Sequence, residues 1–487
     1  MSARFDLSNA RWDPILDGDA LYAKFLLRDR SNDGKFLTGV VSTGIYCLPS
    51  CPARRPKREN VRFFHNPDEA RRSGLRPCFR CHPDSLYRGE EFHETLFEQT
   101  AARVRTNPAV FRDVSDVART AGLSRTALND LFRVHTHESP GAFLRRVRVE
   151  CACGLLENGG KPIDSAAAAG YGSMSSFHQQ FSLRTGMTPA AYAALGGTRE
   201  FTLRLPKDYR TREALDFFGR DREAVSERVS AHGFTKCFSA DGRAVAVEVE
   251  FGKQSTICRT DAGCSFAAHR AILRMLGFES DVGGFERQFA ADEVLGSLFL
   301  RQRGLRIPCT PQPWEALAWA IMGQQISLGM AVTLRRGLIV ALGRPHASGL
   351  TAFPTAEAVA AANVELLRKL KFSTSKAEYL LAAARAVTSG DLPLARMREL
   401  SALHAARLLG AVRGVGPWTI QYVFLRGFGF ADCLPAGDAG LARGLAALTP
   451  QSVKEALNRF APFRSLAACH VWASLNDKYE GKEKHDN

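Results

Sequence analysis

Leu408-Leu409-Gly410-Ala411-Val412-Arg413-Gly414-Val415-Gly416-Pro417-Trp418-Thr419 sets the character of the C-terminal half of the chain. Gly414 and Gly416, separated by one apolar residue, predict a tight hairpin, and helical patterns flank it on both sides. Backbone N–H groups at such a turn can hold a DNA phosphate without reading sequence. A G-x-G pair is common by itself. It gains weight from Asp432-Cys433-Leu434-Pro435-Ala436-Gly437-Asp438, which opens a further helical stretch. Asp438 there reads either as a helix N-cap alone or as a functional carboxylate, and for an isolated Asp the cap is the commoner role.

Upstream the periodicity changes. Phe201 to Leu205 (FTLRL) and Ala244 to Phe251 (AVAVEVEF) are β-type runs, which predict a small α+β domain before the helical pattern resumes after about Gly284. From about Glu91 to Leu195 the pattern is again helical. Val114 to Ala118 leads through Gly122-Leu123-Ser124 into Arg125 to Phe132; Gly122 suits a turn, Ser124 an N-cap, and Leu128, Leu131 and Phe132 mark one face. The arrangement recurs some 48 residues on, with Ile163 to Ala169, Gly170-Tyr171 and Ser173 leading to Phe177 and Phe181. Thr185-Gly186-Met187-Thr188-Pro189 closes it. One such unit is often an ordinary helical hairpin. Two, joined by a long helix over roughly Pro140 to Glu157, make a rarer pattern.

Of the twelve cysteines, Cys47, Cys51, Cys78 and Cys81 fall within one 35-residue stretch. Their spacing, C-x3-C, a gap of 26 residues and C-x2-C, suits one tetrahedral Zn²⁺ held by four thiolates, either as a purely structural knot or as a reactive centre. Arg54, Arg55, Lys57, Arg58, Arg71, Arg72, Arg76 and Arg80 crowd the same segment. Four thiolates on Zn²⁺ carry a formal charge of about −2, which this basic surface would offset toward phosphate. The other eight cysteines, Cys151, Cys153, Cys237, Cys258, Cys264, Cys309, Cys433 and Cys469, are scattered and read as buried small apolar residues or inert thiols.

The whole chain fits this picture. It has 487 residues, enough for three or four domains, and 65 Lys+Arg against 50 Asp+Glu give a formal charge of +15. That excess points to a polyanionic partner, most simply nucleic acid. Apolar residues at 45 % and charged residues at 24 % exclude wholesale disorder. No apolar run reaches the roughly 18 residues of a membrane span. The start, MSARFDLSNARWDP, lacks the signature of a secretory signal, so secretion is not expected. Twelve cysteines in 487 residues are too few for a disulfide scaffold, so a cytosolic chain is expected.

The segments Thr43-Gly44-Ile45-Tyr46-Cys47, Cys51 through Phe64, and Arg76 through Asp84 resemble the zinc domain of the Ada methylation-repair regulators. The resemblance implies that Cys47 is both a zinc ligand and a methyl acceptor, and that Thr43, Arg54 and Arg76 hold the DNA backbone. Attack of a Cys47 thiolate on a methyl phosphotriester would give S-methylcysteine and restore the phosphodiester. It would also move the site from about −2 to about −1, so that DNA binds more tightly and damage becomes a switch. The paired helical units resemble the AraC-type DNA-binding domain. That implies base-facing roles for Arg125, Thr126 and Asn129, then Ser175, Ser176 and Gln179. Thr136-His137-Glu138 departs from the family, which often has Gly after the first recognition helix.

From about Phe201 to Trp472 the chain resembles the AlkA-type helix-hairpin-helix DNA glycosylases. The resemblance implies that Asp438 is the catalytic carboxylate and that Trp418, Tyr422 and Trp472 surround an extruded base. It implies that the hairpin of Gly414 and Gly416 meets DNA, and that carbonyls of Gly410, Val412 and Val415 hold a monovalent cation. Gln325, within Met322-Gly323-Gln324-Gln325-Ile326-Ser327, takes the place of an apolar wedge, and Arg413 replaces a frequent Pro and offers a phosphate contact. Trp418 stands where lyase-type relatives carry an amine, so a monofunctional glycosylase without a Schiff base is expected. No iron–sulfur cluster is expected.

The fold class expected is multidomain α+β. Residues 1–90 would form a small zinc-bound α/β module and residues 91–197 an all-α double helix-turn-helix. Residues 198–283 would form a small α+β cap, residues 284–480 an all-α helix-hairpin-helix core, and residues 481–487 a disordered tail. The function expected is a fused alkylation-damage sensor, transcription activator and 3-methyladenine-type glycosylase. Its partners would be alkylated and promoter double-stranded DNA and RNA polymerase, with no membrane, in a monomeric, cytoplasmic, nucleoid-associated bacterial protein. No Cys is followed by His-Arg, so repair of O6-methylguanine by a second methyltransferase domain is not expected. Two other readings stay open: a DNA-binding regulator with an inert glycosylase half, and an enzyme whose zinc site is structural.

Overall fold

The computed structural model describes residues 18–29, 32–87 and 92–483, the last eight of these by backbone alone. The start of the chain and residues 484–487 of the expected tail lie outside the described residues. The chain separates into two compact units, Met1–Leu96 and Phe97–Asn487. No described helix is long and apolar enough to cross a membrane.

The first unit is built on a four-stranded sheet with Leu37–Val40 and Ile45–Cys47 at its centre. Leu37–Val40 pairs antiparallel with both Ile45–Cys47 and Val61–Phe64, and Ile45–Cys47 pairs parallel with Arg76–Pro77. Gly39 lets Phe64 and Leu75 close over the central strand, since a Cβ there would stand 2.5 Å from both side chains. Gly44, with φ +66°, turns the first hairpin, and the parallel pairing then sets Cys47 beside the Cys78 end of Arg76–Pro77.

The second unit opens with helices whose ends are specified locally. Asp113, Ser124, Ser139 and Ser173 each accept a backbone N–H as N-caps of Val114–Ala121, Arg125–Thr136, Pro140–Glu157 and Met174–Thr185. Gly122 takes the left-handed conformation at the turn of the first helix pair. His137 takes that same conformation, φ +61°, after Arg125–Thr136, so a non-glycine residue does fill that turn. Next comes a five-stranded antiparallel sheet, spatially Glu200–Arg204, Ser255–Thr260, Arg243–Phe251, Gly233–Ala240 and Glu227–Ser230. Arg212–Phe218 and Ser265–Met275 are the helices of this sheet region.

Three features bear on the expected boundaries. Phe177, Phe181, Tyr192 and Leu195 belong to one continuous core with Phe201, Leu203, Val247, Ile272 and Met275, so residues 197 and 198 do not separate two cores. The amphipathic helix Val282–Phe289 spans the boundary drawn at 283/284, and its Val282 and Phe285 pack in the core of the helical region that follows. The physical reason is the same in both places: burial of an apolar face, not a shift in composition, decides where a unit ends. The last helix, Arg464–Glu483, also continues past residue 481, because adding a turn to an existing helix needs no new nucleus.

A buried ion cluster ties the sheet to the helical core. Lys236 lies 2.8 Å from Glu227 and 3.0 Å from Glu315, and Arg335 bridges the same two carboxylates at 2.8 and 2.7 Å. Burial pushes the Glu227 carboxyl up, but Arg335 and Lys236 outweigh it and hold it at about 2. Glu315 and Arg335 sit on Pro313–Gly323 and Leu328–Leu342, the two helices that frame the loop bearing Gln325.

Candidate functional sites

In the first unit the Sγ atoms of Cys47, Cys51, Cys78 and Cys81 lie within 4.8 Å of one another, and all four residues are buried. The Leu48 N–H donates to Cys81 Sγ and the Arg80 N–H to Cys78 Sγ, both at 3.4 Å. Four converging sulfurs with backbone donors to two of them suit Zn²⁺. Tyr46, packed in the same core as the four cysteines, donates its hydroxyl to Asp84 Oδ1, while Arg71 donates to Asp84 Oδ2 at 2.5 Å. Thr43, Arg54 and Arg76 are exposed, and the Arg76 guanidinium lies 5.3 Å from the ring of exposed Phe79.

In the helical pair, Arg125 and Thr126 are exposed and Asn129 is half-buried on the first turns of Arg125–Thr136. Ser175 and Gln179 are exposed on Met174–Thr185, likewise one turn apart. Ser176 differs, since its hydroxyl accepts from Gln180 at 3.2 Å.

The hairpin and Asp438 line one large cavity of about 1320 Å³, together with Trp418, Tyr422, Trp472 and Gln325. The hairpin leaves helix Ala402–Ala411 at Val412 and enters Pro417–Tyr422 at Gly416. Gly414 has φ +86°, and a Cβ there would stand 2.2 Å from the Tyr379 ring, so both conformation and space demand glycine. Gly416 is different. Its φ is −96°, and no described atom lies within 4 Å of a Cβ built on it, which leaves its backbone open to an approaching phosphate. Among the three carbonyls expected to hold a cation, that of Val412 accepts the Val415 N–H at 3.0 Å.

Asp438 is a helix N-cap and also lines the cavity. Its Oδ1 accepts the Leu441 N–H at 2.8 Å, capping Ala439–Ala446, and also accepts the Trp472 indole N–H at 2.9 Å. Its Oδ2 accepts the Trp418 indole N–H at 3.2 Å. Trp418 stacks on Tyr422 with ring centroids 5.3 Å apart. The pocket therefore places a carboxylate fixed by three donors beside two stacked aromatic faces.

Several residues that line the cavity or fix its loop escaped the sequence reading. Gln324, neighbour of the exposed Gln325, donates to the Gly414 carbonyl at 2.8 Å and to Thr419 Oγ1 at 3.1 Å, binding the loop to the hairpin. Gln325 itself has φ +55°. Lys376 donates to the Met322 carbonyl at 2.8 Å and to the Gln324 carbonyl at 2.5 Å, fixing the same loop. Arg220 and Arg426 also line the cavity, with the Arg426 guanidinium 5.1 Å from the Trp472 ring. A doubled Gln before a Ser N-cap was the one local signal; Lys376, Arg220 and Arg426 carried none. Arg413 is not free for phosphate alone, since it pairs with Glu378 at 3.3 Å.

Comparison with known proteins finds three family matches along the chain. The metal binding domain of Ada matches residues 20–84, a helix-turn-helix domain matches residues 117–194, and the HhH-GPD superfamily of base excision DNA repair proteins matches residues 318–458. The chain is 28 % identical to a probable bifunctional transcriptional activator/DNA repair enzyme AlkA of Mycobacterium tuberculosis, over 94 % of this chain and 97 % of that protein. It is 31 % identical to the bifunctional transcriptional activator/DNA repair enzyme Ada of Escherichia coli, over 36 % of this chain and 48 % of that protein. Among solved structures, a 3-methyladenine DNA glycosylase from Archaeoglobus fulgidus superposes with a TM-score of 0.51 at 25 % identity, covering 56 % of this chain and 97 % of that one.

Proposed function

We propose that this chain, which joins an Ada-type zinc-binding domain and an AraC-type helix-turn-helix domain to an HhH-GPD base excision domain, senses methyl phosphotriesters, activates transcription and excises alkylated bases. The observation that carries the reading is the pocket carboxylate. Asp438 is held by two indole N–H groups and a helix N-terminus at the wall of a cavity that reaches the hairpin.

In the excision step the flipped nucleotide enters the cavity. Tyr422 and Trp418 offer aromatic faces to a cationic base such as 3-methyladenine, worth roughly 0.5–2 kcal/mol per contact. The glycosidic bond breaks toward the base, an oxocarbenium-like sugar develops, and the Asp438 carboxylate stabilises that charge and orients the attacking water. Trp418 and Trp472 keep the carboxylate in place. Gly416 and its neighbours contact the backbone phosphate, and Gln325 fills the gap in the stack. The reading takes the enzyme as monofunctional and includes a monovalent cation on the hairpin carbonyls.

In the sensing step, bound zinc would keep the four cysteines deprotonated. The Cys47 sulfur attacks the methyl carbon of the triester; the S–C bond forms, the C–O bond breaks, and the phosphodiester leaves. Exposed Arg54 and Arg76, with Thr43, hold the flanking backbone. Arg125 and Asn129 on one helix and Ser175 and Gln179 on the next, each pair one turn apart, read promoter bases.

The test is chromatographic release of free base from methylated duplex DNA. The wild-type chain releases alkylated purine and Asp438→Asn does not. Equal release by both proteins would remove Asp438 from the chemistry.

A further inference from the structure

The first helix-turn-helix unit does not stand apart from the hairpin. Ser401, fully buried, is the N-cap of Ala402–Ala411, the helix that runs straight into the hairpin at Val412. Two of the side chains that fix this cap come from the helix-turn-helix region. His135 Nδ1, on the last turn of the recognition helix Arg125–Thr136, lies 2.7 Å from Ser401 Oγ. Glu98 Oε1 accepts the Ser401 N–H at 3.1 Å and lies 3.0 Å from His404 Nδ1. Arg105 donates to the carbonyls of Arg398 and Glu399 at 3.1 and 2.9 Å, just ahead of the cap.

A second link reaches the loop that delivers Asp438. His137, in its left-handed turn directly after the recognition helix, stacks on Phe430 with centroids 5.1 Å apart, and its Nδ1 lies 3.0 Å from the Asp432 carbonyl. Asp432 is held in turn by Arg464 at 2.7 and 2.8 Å. One helix end therefore abuts both the start of the helix that leads into the hairpin and the segment that precedes Asp438.

We propose that the first helix-turn-helix unit is the mount of the glycosylase hairpin, with His135 and Glu98 as positioning residues for the grip on damaged DNA. A shift of the recognition helix on its DNA moves the cap at Ser401, and the rigid helix of ten residues, about 15 Å long, carries that shift to the hairpin. Coupling of this kind is reciprocal, so damaged DNA held by the hairpin alters the affinity of the recognition helix by the same factor. The proposal rests on reading the C-terminal half as a DNA glycosylase.

The test uses the full chain and two duplexes of one sequence, one undamaged and one carrying a tetrahydrofuran abasic-site analogue. The ratio of the two dissociation constants isolates the hairpin side, because non-specific binding by other basic surfaces enters both. The wild-type chain prefers the abasic duplex. His135→Ala lowers that preference about fivefold, the factor expected for one lost hydrogen bond. His135→Asn restores it, since the amide can reoccupy the Nδ1 position. Where His135→Ala lacks a cooperative melt, Glu98→Gln, at a partly exposed site, takes its place. A preference unchanged in the folded variants, with lowered melting temperature alone, would reduce these contacts to packing and overturn the proposal. A wild-type chain with no abasic preference would overturn the glycosylase reading and this proposal together.

Discussion

Trp472 donates its indole N–H to Asp438 Oδ1 across 2.9 Å, from a helix 34 residues further along the chain. The same oxygen accepts the Leu441 N–H, so one carboxylate both starts a helix and faces the pocket. The capping role of Asp438 and the catalytic role proposed for it can be separated by chemistry. Asn caps a helix about as well as Asp. Asp438→Asn is therefore expected to melt within about 1 kcal/mol of the wild-type chain while losing at least about a hundredfold in single-turnover excision. A large loss of stability with proportional loss of rate would mean that the residue is a cap alone.

Gly414 and Gly416 should behave oppositely. Ala at Gly414 meets the Tyr379 ring and a φ of +86°, so Gly414→Ala should destabilise the fold by about 1–3 kcal/mol and weaken DNA binding with it. Ala at Gly416 meets no described atom. Gly416→Ala should keep its melting temperature yet bind DNA more weakly, because the methyl stands where the phosphate approaches. Thermal melts beside binding isotherms read both.

Stability should fall with acid before the carboxylates titrate. Burial pushes His269 down to about 4 and His470 down to about 3. His269 Nε2 lies 2.8 Å from the Thr185 carbonyl, and the His470 ring stacks on Phe285. Both are held neutral in the fold and protonate in the unfolded chain near pH 6.5. Between about 6.5 and 4 the unfolded state binds more protons, so stability rises with pH there and is lost as pH falls. Two such groups give a slope near 2.7 kcal/mol per pH unit. His269→Gln and His470→Gln should each flatten the denaturation-midpoint profile across that window.

Glu227 governs a lower window. Its folded value of about 2 lies below the usual carboxyl range, so its contribution is complete above about pH 4.5 and is lost as pH falls through 2. Glu227→Gln leaves Lys236 and Arg335 sharing Glu315 alone, and should cost about 3–5 kcal/mol at neutral pH by urea denaturation.

What the sequence could disclose follows from how local each cause is. The four cysteines, the hairpin glycines and the Ser124 cap act through spacing along the chain, and each was legible. So was the division into zinc, helical, strand-rich and hairpin regions. The Lys236–Glu227–Glu315–Arg335 cluster was not, because its members stand far apart in sequence and each reads alone as a solvated charge. Strand Gly233–Ala240 was missed for a related reason: buried along most of its length and interrupted by Lys236, it shows no alternation. Gln324 and Gln325 are indistinguishable as letters, yet one ties down the hairpin and the other is exposed. The shared core across residues 197 and 198 is likewise a fact of packing that no local pattern records.

The central claim is that one chain carries both chemistries. The most direct measurement gives a single preparation, with zinc content verified, a duplex bearing one methyl phosphotriester and one 3-methyladenine. Peptide mapping by mass should find one methyl on the Cys47 peptide and none elsewhere, at one per chain, while free 3-methyladenine accumulates over many turnovers. Methyl transfer absent or found on another residue, or base release no faster than in buffer, would each contradict the account.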